Sequence, residues 1–182
     1  IAKWSKEMNA NNGIPYIYMQ LGMPSDDFAR KYPEWMLFSD GSEVDRVAPQ
    51  IPGRRKNRQK HRHHQPYVTF DYTDKEFSKH FVKVWSKLHK DGIQGVKVDY
   101  PATAWRPEGG FDDRYATTNS AYRRAFSLLR EAFGKDGLID ERNLGESSRP
   151  CLDVTAGIVD TQRTWADSNK YVAVARTNAY CA

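Results

Sequence analysis

Cysteines and long apolar runs are both scarce in this 182-residue sequence. The only two cysteines, Cys151 and Cys181, lack metal-ligand spacing and cannot define a disulfide framework, so one bridge and two free thiols both stay open. No apolar stretch approaches the roughly 20 residues that a membrane-spanning helix needs, and no signal-peptide or lipidation motif is present. We therefore expect no membrane partner, and the cellular compartment stays open.

Acidic residues are absent from the segment 46–64, although the whole chain has 23 of them against 28 lysines and arginines. The basic residues of this segment are Arg46, Arg54, Arg55, Lys56, Arg58, Lys60 and Arg62. Without them the chain is slightly acidic, so the net charge of +5 comes from one segment. That segment lies in a stretch from Phe38 to Pro66 with no hydrophobic period and several breaking residues, which predicts a long loop.

The composition of this basic loop is compatible with two functions. Its charge would suit a nucleic acid or another polyanion, but it has no recognisable docking fold and the rest of the chain is mildly acidic. Its HRHH sequence, residues 61–64, resembles a metal-binding tract, but adjacent loop histidines have no defined facing geometry and no carboxylate or thiol lies nearby in sequence. We expect a solvated basic loop, with no nucleic-acid partner and no metal.

The stretch from residue 93 to 105, IQGVKVDYPATAW, predicts a short buried strand that ends on a carboxylate. Ile93, Val96 and Val98 are β-branched, as in buried parallel strands, and the proline at position 101 makes pairing beyond residue 100 unfavourable. Lys97 and Asp99 are two residues apart and therefore share one face. Asp99 is expected at the carboxyl end of the strand, where α/β folds carry their chemistry. An internal ion pair with Lys97, or a carboxylate that caps the next turn, is the alternative.

A strand, a helix and a strand are predicted in succession up to this point. Residues 67–71, YVTFD, alternate as a strand that ends on Asp71, and Thr73 with Glu76 fits a capping box for a helix over 74–90. The apolar residues of that helix recur at helical spacing: Phe77, Phe81, Val84, Trp85 and Leu88. Such a unit normally has a right-handed crossover and parallel strands.

The same alternation extends over the rest of the chain. The other predicted elements are a helix over 3–10 closed by Gly13, a strand within 14–22, a short helix ended by Pro33, a helix from about Asn119 to Phe133 closed by Gly134, an apolar segment at 138–144 and a strand at about 157–161. This order predicts an α/β fold, a (β/α)8 TIM barrel present as a partial barrel of four to five parallel strands. A full barrel needs about 250 residues, so residues 1–182 are expected to be the central fragment of one catalytic domain.

Several motifs resemble those of one enzyme family. GVKVDY, residues 95–100, resembles the nucleophile-bearing strand of the α-galactosidases and related α-glycosidases (the melibiase clan, glycoside hydrolase families 27 and 36), with which it shares the K-x-D pattern. PYIYMQLGMPSDDFARKYPEWML, YVTFDYTDKEF, GESSRPCLDVTAG and DTQRTWADSN are similar to other segments of that family, in the family's order. The resemblance covers about residues 14 to 170.

The resemblance implies a retaining glycosidase without a cofactor or metal, acting on a carbohydrate substrate. In such enzymes two carboxylates about 5 to 5.5 Å apart act as nucleophile and as acid then base. It assigns these roles to Asp99 and Asp167, respectively. Asp160 is a competing acid, and a plain Arg163–Asp167 ion pair is the alternative reading of that segment. The implied substrate-binding residues are Lys97, Tyr100, Trp105, Glu146, Ser147, Arg163 and Trp165.

The sequence also departs from the family. SSRP follows Glu146 where the family has a glycine-rich loop, and the strand that recognises the galactose 4- and 6-hydroxyls is not in this chain. The sugar, its linkage and the oligomeric state therefore stay open. A barrel that binds carbohydrate without cleaving it, and a polyanion binder acting through residues 46–64, are the alternative functions.

Overall fold

The computed structural model describes residues 1–22, 24–38, 68–99, 104–106, 109–142 and 152–163. Its helices are α1 (Ala2–Ala10), α2 (Asp26–Lys31), α3 (Lys75–Lys90) and α4 (Thr118–Phe133). Its strands are β1 (Tyr16–Met19), β2 (Met36–Phe38), β3 (Val68–Phe70), β4 (Gly95–Val98), β5 (Leu138–Glu141) and β6 (Thr161–Gln162). Short 3-10 helices cover Pro33–Trp35 and Leu152–Thr155.

Four strands form one parallel sheet in the order β1-β4-β5-β6. β4 is central: Gly95 lies opposite Tyr16 of β1 and Leu138 of β5, and the pairing continues over four residues on both sides. β6 adds two further paired residues at the edge. A parallel sheet with helices between its strands is an α/β partial barrel, which confirms the predicted fold class.

The partner predicted for the strand at 67–71 is wrong. β3 pairs antiparallel with β2, Val68 opposite Phe38 and Phe70 opposite Met36, and the two form a separate sheet. The strand before β4 in the parallel sheet is β1. Between β1 and β4 the chain forms the separate β2–β3 pair and then α3, which leads back to the parallel sheet. Asp71 therefore follows an antiparallel strand and does not end a strand of the barrel.

The start of α3 also differs from the prediction. Asp74 is the N-cap, and its carboxylate accepts a hydrogen bond from the Phe77 N–H at 2.7 Å. Thr73 does not form the expected capping box with Glu76, because Asp74 is the N-cap and the Thr73 hydroxyl instead donates to the Asp71 carboxylate at 2.7 Å and accepts from the Asp113 N–H. A buried carboxylate gains more from a donor than an exposed helix end does, so the hydroxyl turns inward.

The end of α1 is a Schellman motif. Asn12 has the left-handed conformation, with φ of 58°. The Gly13 N–H donates to the Met8 carbonyl at 2.8 Å, and the Asn12 N–H donates to the Asn9 carbonyl at 3.2 Å. The residue that reverses the chain is thus Asn12, one position before the predicted glycine.

The last strand begins later than predicted. Gly157 has φ of 77°, in a turn that follows the 3-10 helix. The Ile158 N–H donates to the Thr155 carbonyl, and the Arg130 guanidinium donates to the Ile158 carbonyl at 2.7 and 3.0 Å. These bonds use backbone groups that a strand over 157–160 would need, so β6 starts at Thr161.

One face of the parallel sheet is buried under α3 and α4. Its central side chains, Val96, Val98 and Ile139, are fully buried. The helices contribute mainly aromatic residues to this core: Phe77, Phe81, Trp85, Tyr122, Phe126 and Phe133. Val84, which the helical period placed in the core, is 43% exposed at the edge of the stripe. In the described part of the chain, no helix has both the length and the apolar character to span a membrane.

Asp71 joins the β3–α3 turn to the loop that precedes α4. Its carboxylate is 3% exposed and accepts hydrogen bonds from the N–H and hydroxyl of Thr73, at 2.8 and 2.7 Å, and from the Asp112 N–H at 2.7 Å. The Thr73 hydroxyl accepts in turn from the Asp113 N–H at 3.1 Å. Burial raises the pKa of Asp71 above its usual value of 3.8, although these hydrogen bonds oppose the shift and the charge of Asp112 adds to it.

The raised pKa of Asp71 makes its contribution to stability pH-dependent. Because the folded state binds this proton more tightly than the unfolded state, the contribution is fully present below pH 3.8 and is lost as the pH rises through the folded-state value. We expect the free energy of unfolding of the wild type, relative to Asp71→Asn, to fall as the pH rises across that window. Urea unfolding at several pH values measures the difference, with Asp136→Asn, at an exposed turn, as control. A difference that is constant or rises with pH would contradict the assignment.

Candidate functional site

The face of the parallel sheet opposite α3 and α4 carries polar residues. Side chains alternate along a strand, and Val96, Val98, Ile139 and Glu141 are buried on the helix side. The intervening positions lie on the opposite face: Lys97 and Asp99 on and after β4, and Asp140 and Arg142 on and after β5. In a closed barrel this face is the interior, and its carboxyl end is where the reactive groups of such folds lie.

Asp99 lies directly after β4 and is fixed on both sides. Its N–H donates to the Met19 carbonyl of β1 at 2.9 Å. Its Oδ1 accepts a hydrogen bond from Arg142 Nη1 at 2.7 Å, in an ion pair whose two side chains are only 14% and 16% exposed. The Arg142 N–H donates to the Val98 carbonyl at 2.9 Å, so backbone and side chain of Arg142 are both bound to β4.

The alternative of an internal Lys97–Asp99 ion pair is not found within the described residues, where the cation of the Asp99 ion pair is Arg142. Lys97 is half-buried and lies in register between Tyr18 of β1 and Asp140 of β5. Two residues along a strand are about 6.6 Å apart, whereas neighbouring strands lie about 4.8 Å apart. The shorter distance explains why the carboxylate pairs across the sheet.

Deeper on the same face, Tyr16 and Asp140 lie together. Burial, followed by the charge of Asp140 and a hydrogen bond to it, raises the pKa of the Tyr16 phenol. Asp140 also accepts from the Thr161 hydroxyl at 2.9 Å. Gly95 makes room for the phenol, because a Cβ there would lie 2.7 Å from both the Tyr16 ring and the Leu138 carbonyl oxygen. These residues lie on the same face as Asp99, nearer the amino end of the strands.

Two other predicted site residues are described. Arg163 follows β6, and its N–H donates to the Glu141 carbonyl at 2.9 Å, which places it at the same end of the sheet as Asp99 and Arg142. Trp105 packs against the helix-side core, with its ring edge-on to Tyr122 at a centroid distance of 5.9 Å. The described structure thus gives Trp105 a core contact.

Much of the predicted site lies outside the described residues. This applies to Asp167, the proposed acid and base, and to four substrate-binding candidates: Tyr100, Glu146, Ser147 and Trp165. It applies as well to the basic segment 46–64, to HRHH at 61–64 and to both cysteines. Their predicted roles stay predictions. Within the described ranges, no group of three or more His, Cys, Asp or Glu side chains could hold a metal ion.

Sequence reasoning missed Arg142 and Glu141. The apolar segment was read through to residue 144, but β5 ends at Glu141. The available signal was the run of three charged residues, Asp140, Glu141 and Arg142, directly after Leu138 and Ile139. Such a run is unfavourable in a buried strand that continues, so it indicates that the strand ends there. Glu141 is fully buried on the helix side and Arg142 binds Asp99 on the other.

Comparison with known proteins identifies fold relatives. The α-galactosidase TtGalA from Thermus thermophilus, in complex with p-nitrophenyl α-D-galactopyranoside, is similar with a TM-score of 0.59 at 17% identity, over 97% of this chain and 33% of that chain. Its stachyose complex is similar with a TM-score of 0.58 at 17% identity, over 97% and 35% of the two chains. The glycoside hydrolase domain of PelA from Pseudomonas aeruginosa has a TM-score of 0.49 at 12% identity, over 88% and 54%.

The similarity to the two α-galactosidase structures shows a glycosidase-like fold. No protein-family model and no curated relative matches the sequence. The chain spans about a third of the length of the α-galactosidase.

Proposed function

We propose that this chain is the central part of the catalytic barrel of a retaining α-glycosidase that removes terminal α-linked sugars from oligo- or polysaccharides. The observation that carries the proposal is the position of Asp99: a mostly buried carboxylate at the carboxyl end of the central parallel strand, beside a cation. The fold similarity to an α-galactosidase over 97% of the chain supports it.

In the proposed mechanism Asp99 attacks the anomeric carbon and Asp167 protonates the departing glycosidic oxygen. The resulting glycosyl–enzyme ester is then hydrolysed by a water molecule that Asp167 deprotonates, and the sugar leaves with its α configuration retained. Arg142 lies beside Asp99 and balances the charge of the nucleophile in a partly dehydrated site before the attack.

The other polar groups of the carboxyl end would bind the sugar. Lys97, two residues before Asp99 on β4, and Arg163, directly after β6 at the same end of the sheet, are suited to its hydroxyls because both offer several N–H donors. The sugar remains undetermined. The two ligands of the similar α-galactosidase, p-nitrophenyl α-galactoside and stachyose, are the first substrates to test.

Product stereochemistry tests this proposal. The complete polypeptide that contains this sequence is incubated with stachyose and with a panel of p-nitrophenyl α-glycosides, and the first-formed sugar is followed by proton NMR. We expect the α anomer to appear first and the β anomer to accumulate only by mutarotation. A β anomer at first would contradict a retaining mechanism. Sugar binding without turnover on any α-glycoside would instead support the non-catalytic carbohydrate-binding barrel.

A further inference from the structure

Glu141 is a fully buried carboxylate that the proposed chemistry does not use. It is the last residue of β5, and its side chain lies on the helix side of the sheet. It accepts hydrogen bonds from three neutral donors on three different elements: the Tyr122 hydroxyl of α4, the Thr155 hydroxyl of the 3-10 helix and the Gln162 side chain of β6. A buried carboxylate without such donors would be strongly destabilising.

These hydrogen bonds hold an element with little backbone pairing of its own. Up to Arg163, where the described residues end, β6 pairs with β5 over two residues. The Gln162 amide of β6 donates both to Glu141, at 2.8 Å, and to the Thr155 hydroxyl, at 2.9 Å. The Arg163 N–H extends the ladder by one bond to the Glu141 carbonyl. Glu141 thus binds β6 through its backbone and through its side chain.

The next residue in the chain faces the candidate site. Because side chains alternate, burial of Glu141 on the helix side directs Arg142 to the opposite face, where it binds Asp99. β6, in turn, leads through Arg163 to Asp167, the proposed acid and base. One buried carboxylate therefore lies between the two strand ends that carry the proposed catalytic pair.

We propose that Glu141 is a positioning residue, which fixes the end of β5 and the whole of β6 so that Arg142 and Arg163 hold their places relative to Asp99. This inference rests on the proposed function for its effect on catalysis. The stabilisation of β6 by the Glu141 hydrogen bonds does not depend on any activity.

The test compares Glu141→Leu with Glu141→Gln. Leucine removes the acceptor. Glutamine keeps the shape, accepts from Thr155 and Gln162 through its carbonyl, and donates to the Tyr122 hydroxyl. In Glu141→Leu we expect exchange of the Arg163 amide hydrogen to be about tenfold faster, and kcat to fall about 100-fold with little change in KM. In Glu141→Gln the exchange rate of the Arg163 amide and kcat should both stay close to the wild-type values. Asp153→Asn, an exposed carboxylate in the adjacent 3-10 helix, should change neither.

A second pair of variants covers the case in which Glu141→Leu fails to fold. Gln162→Leu removes only the donor on β6, and Tyr122→Phe removes only the donor on α4. Gln162→Leu should speed exchange at Arg163, and Tyr122→Phe should leave that exchange rate within a factor of about two. Equal exchange rates of the Arg163 amide in Gln162→Leu and in the wild type would overturn the inference that Glu141 fixes β6.

Exchange and catalysis are read separately. Faster exchange with unchanged kcat in Glu141→Leu would show that Glu141 stabilises β6 without positioning any group needed for catalysis, and would overturn the inference. If the wild type hydrolyses no α-glycoside, the proposed function fails on its own, and the exchange rates alone then decide whether Glu141 braces β6.

Discussion

Asp99→Gly should abolish hydrolysis of p-nitrophenyl α-glycosides, and sodium azide should restore release of p-nitrophenol. Loss of an attacking side chain lowers kcat by a factor on the order of 10⁴. The glycine leaves room for azide, which forms a bond to the anomeric carbon from the face opposite the leaving group while p-nitrophenolate departs. The product should therefore be the β-glycosyl azide, identified by NMR.

The same reagent separates the two proposed carboxylates. In Asp167→Gly the nucleophile is intact, so azide attacks the glycosyl–enzyme ester from the other face and the product is the α-glycosyl azide. Asp136→Asn, at an exposed turn, serves as the control and should behave as the wild type. Unchanged turnover in Asp99→Gly, or an α-azide from it, would remove Asp99 from the role of nucleophile.

The elements that sequence analysis placed correctly are those whose signals are local. The α4 helix has its N-terminal box, Thr117 with Ser120, and its closing glycine, Gly134 with φ of 68°, at the two ends of one apolar stripe. The β4 strand is marked by its own β-branched residues and by the carboxylate that ends it. Each of these features is contained in fewer than 20 consecutive residues, so no distant contact is needed to predict it.

The elements that sequence analysis misplaced depend on distant contacts. The strand pattern of β3 predicts a strand but not its partner, and the partner, β2, lies on the other side of the basic segment. Thr73 and Asp74 are both good N-cap residues, and Asp71 decides between them by binding the Thr73 hydroxyl. The start of β6 is set by Arg130 on α4, which binds the Ile158 carbonyl.

The candidate site follows the same division between local signals and distant contacts. Asp99 was placed at a strand end from its own segment, and the structure has it directly after β4. Its ion-pair partner lies 43 residues further along the chain, and only the β4–β5 register brings the two together. Lys97 was the nearest cation in sequence, but a shared face does not imply contact. Sequence patterns gave the positions along each strand, and the pairing of strands determined the contacts.

Arg142→Ala should lower both stability and catalysis. Removing the cation deletes the ion pair of a mostly buried carboxylate, and breaking a buried pair from one side costs about 3 kcal/mol of unfolding free energy. Arg142 then no longer fixes the position of the Asp99 carboxylate, so kcat should fall by about two orders of magnitude. Urea unfolding and initial rates measure the two effects. Arg142→Lys keeps the charge but loses the planar guanidinium group. Its unfolding free energy and its kcat should lie between those of the wild type and the alanine variant.

A double-mutant cycle with Asp99→Asn tests whether the two side chains act as a pair. Asparagine has no charge to compensate, so removal of Arg142 in that background should cost about 1 kcal/mol or less. If Arg142→Ala costs the same with and without the Asp99 carboxylate, the ion pair contributes nothing to stability. The cation beside the proposed nucleophile would then have to act on the substrate instead.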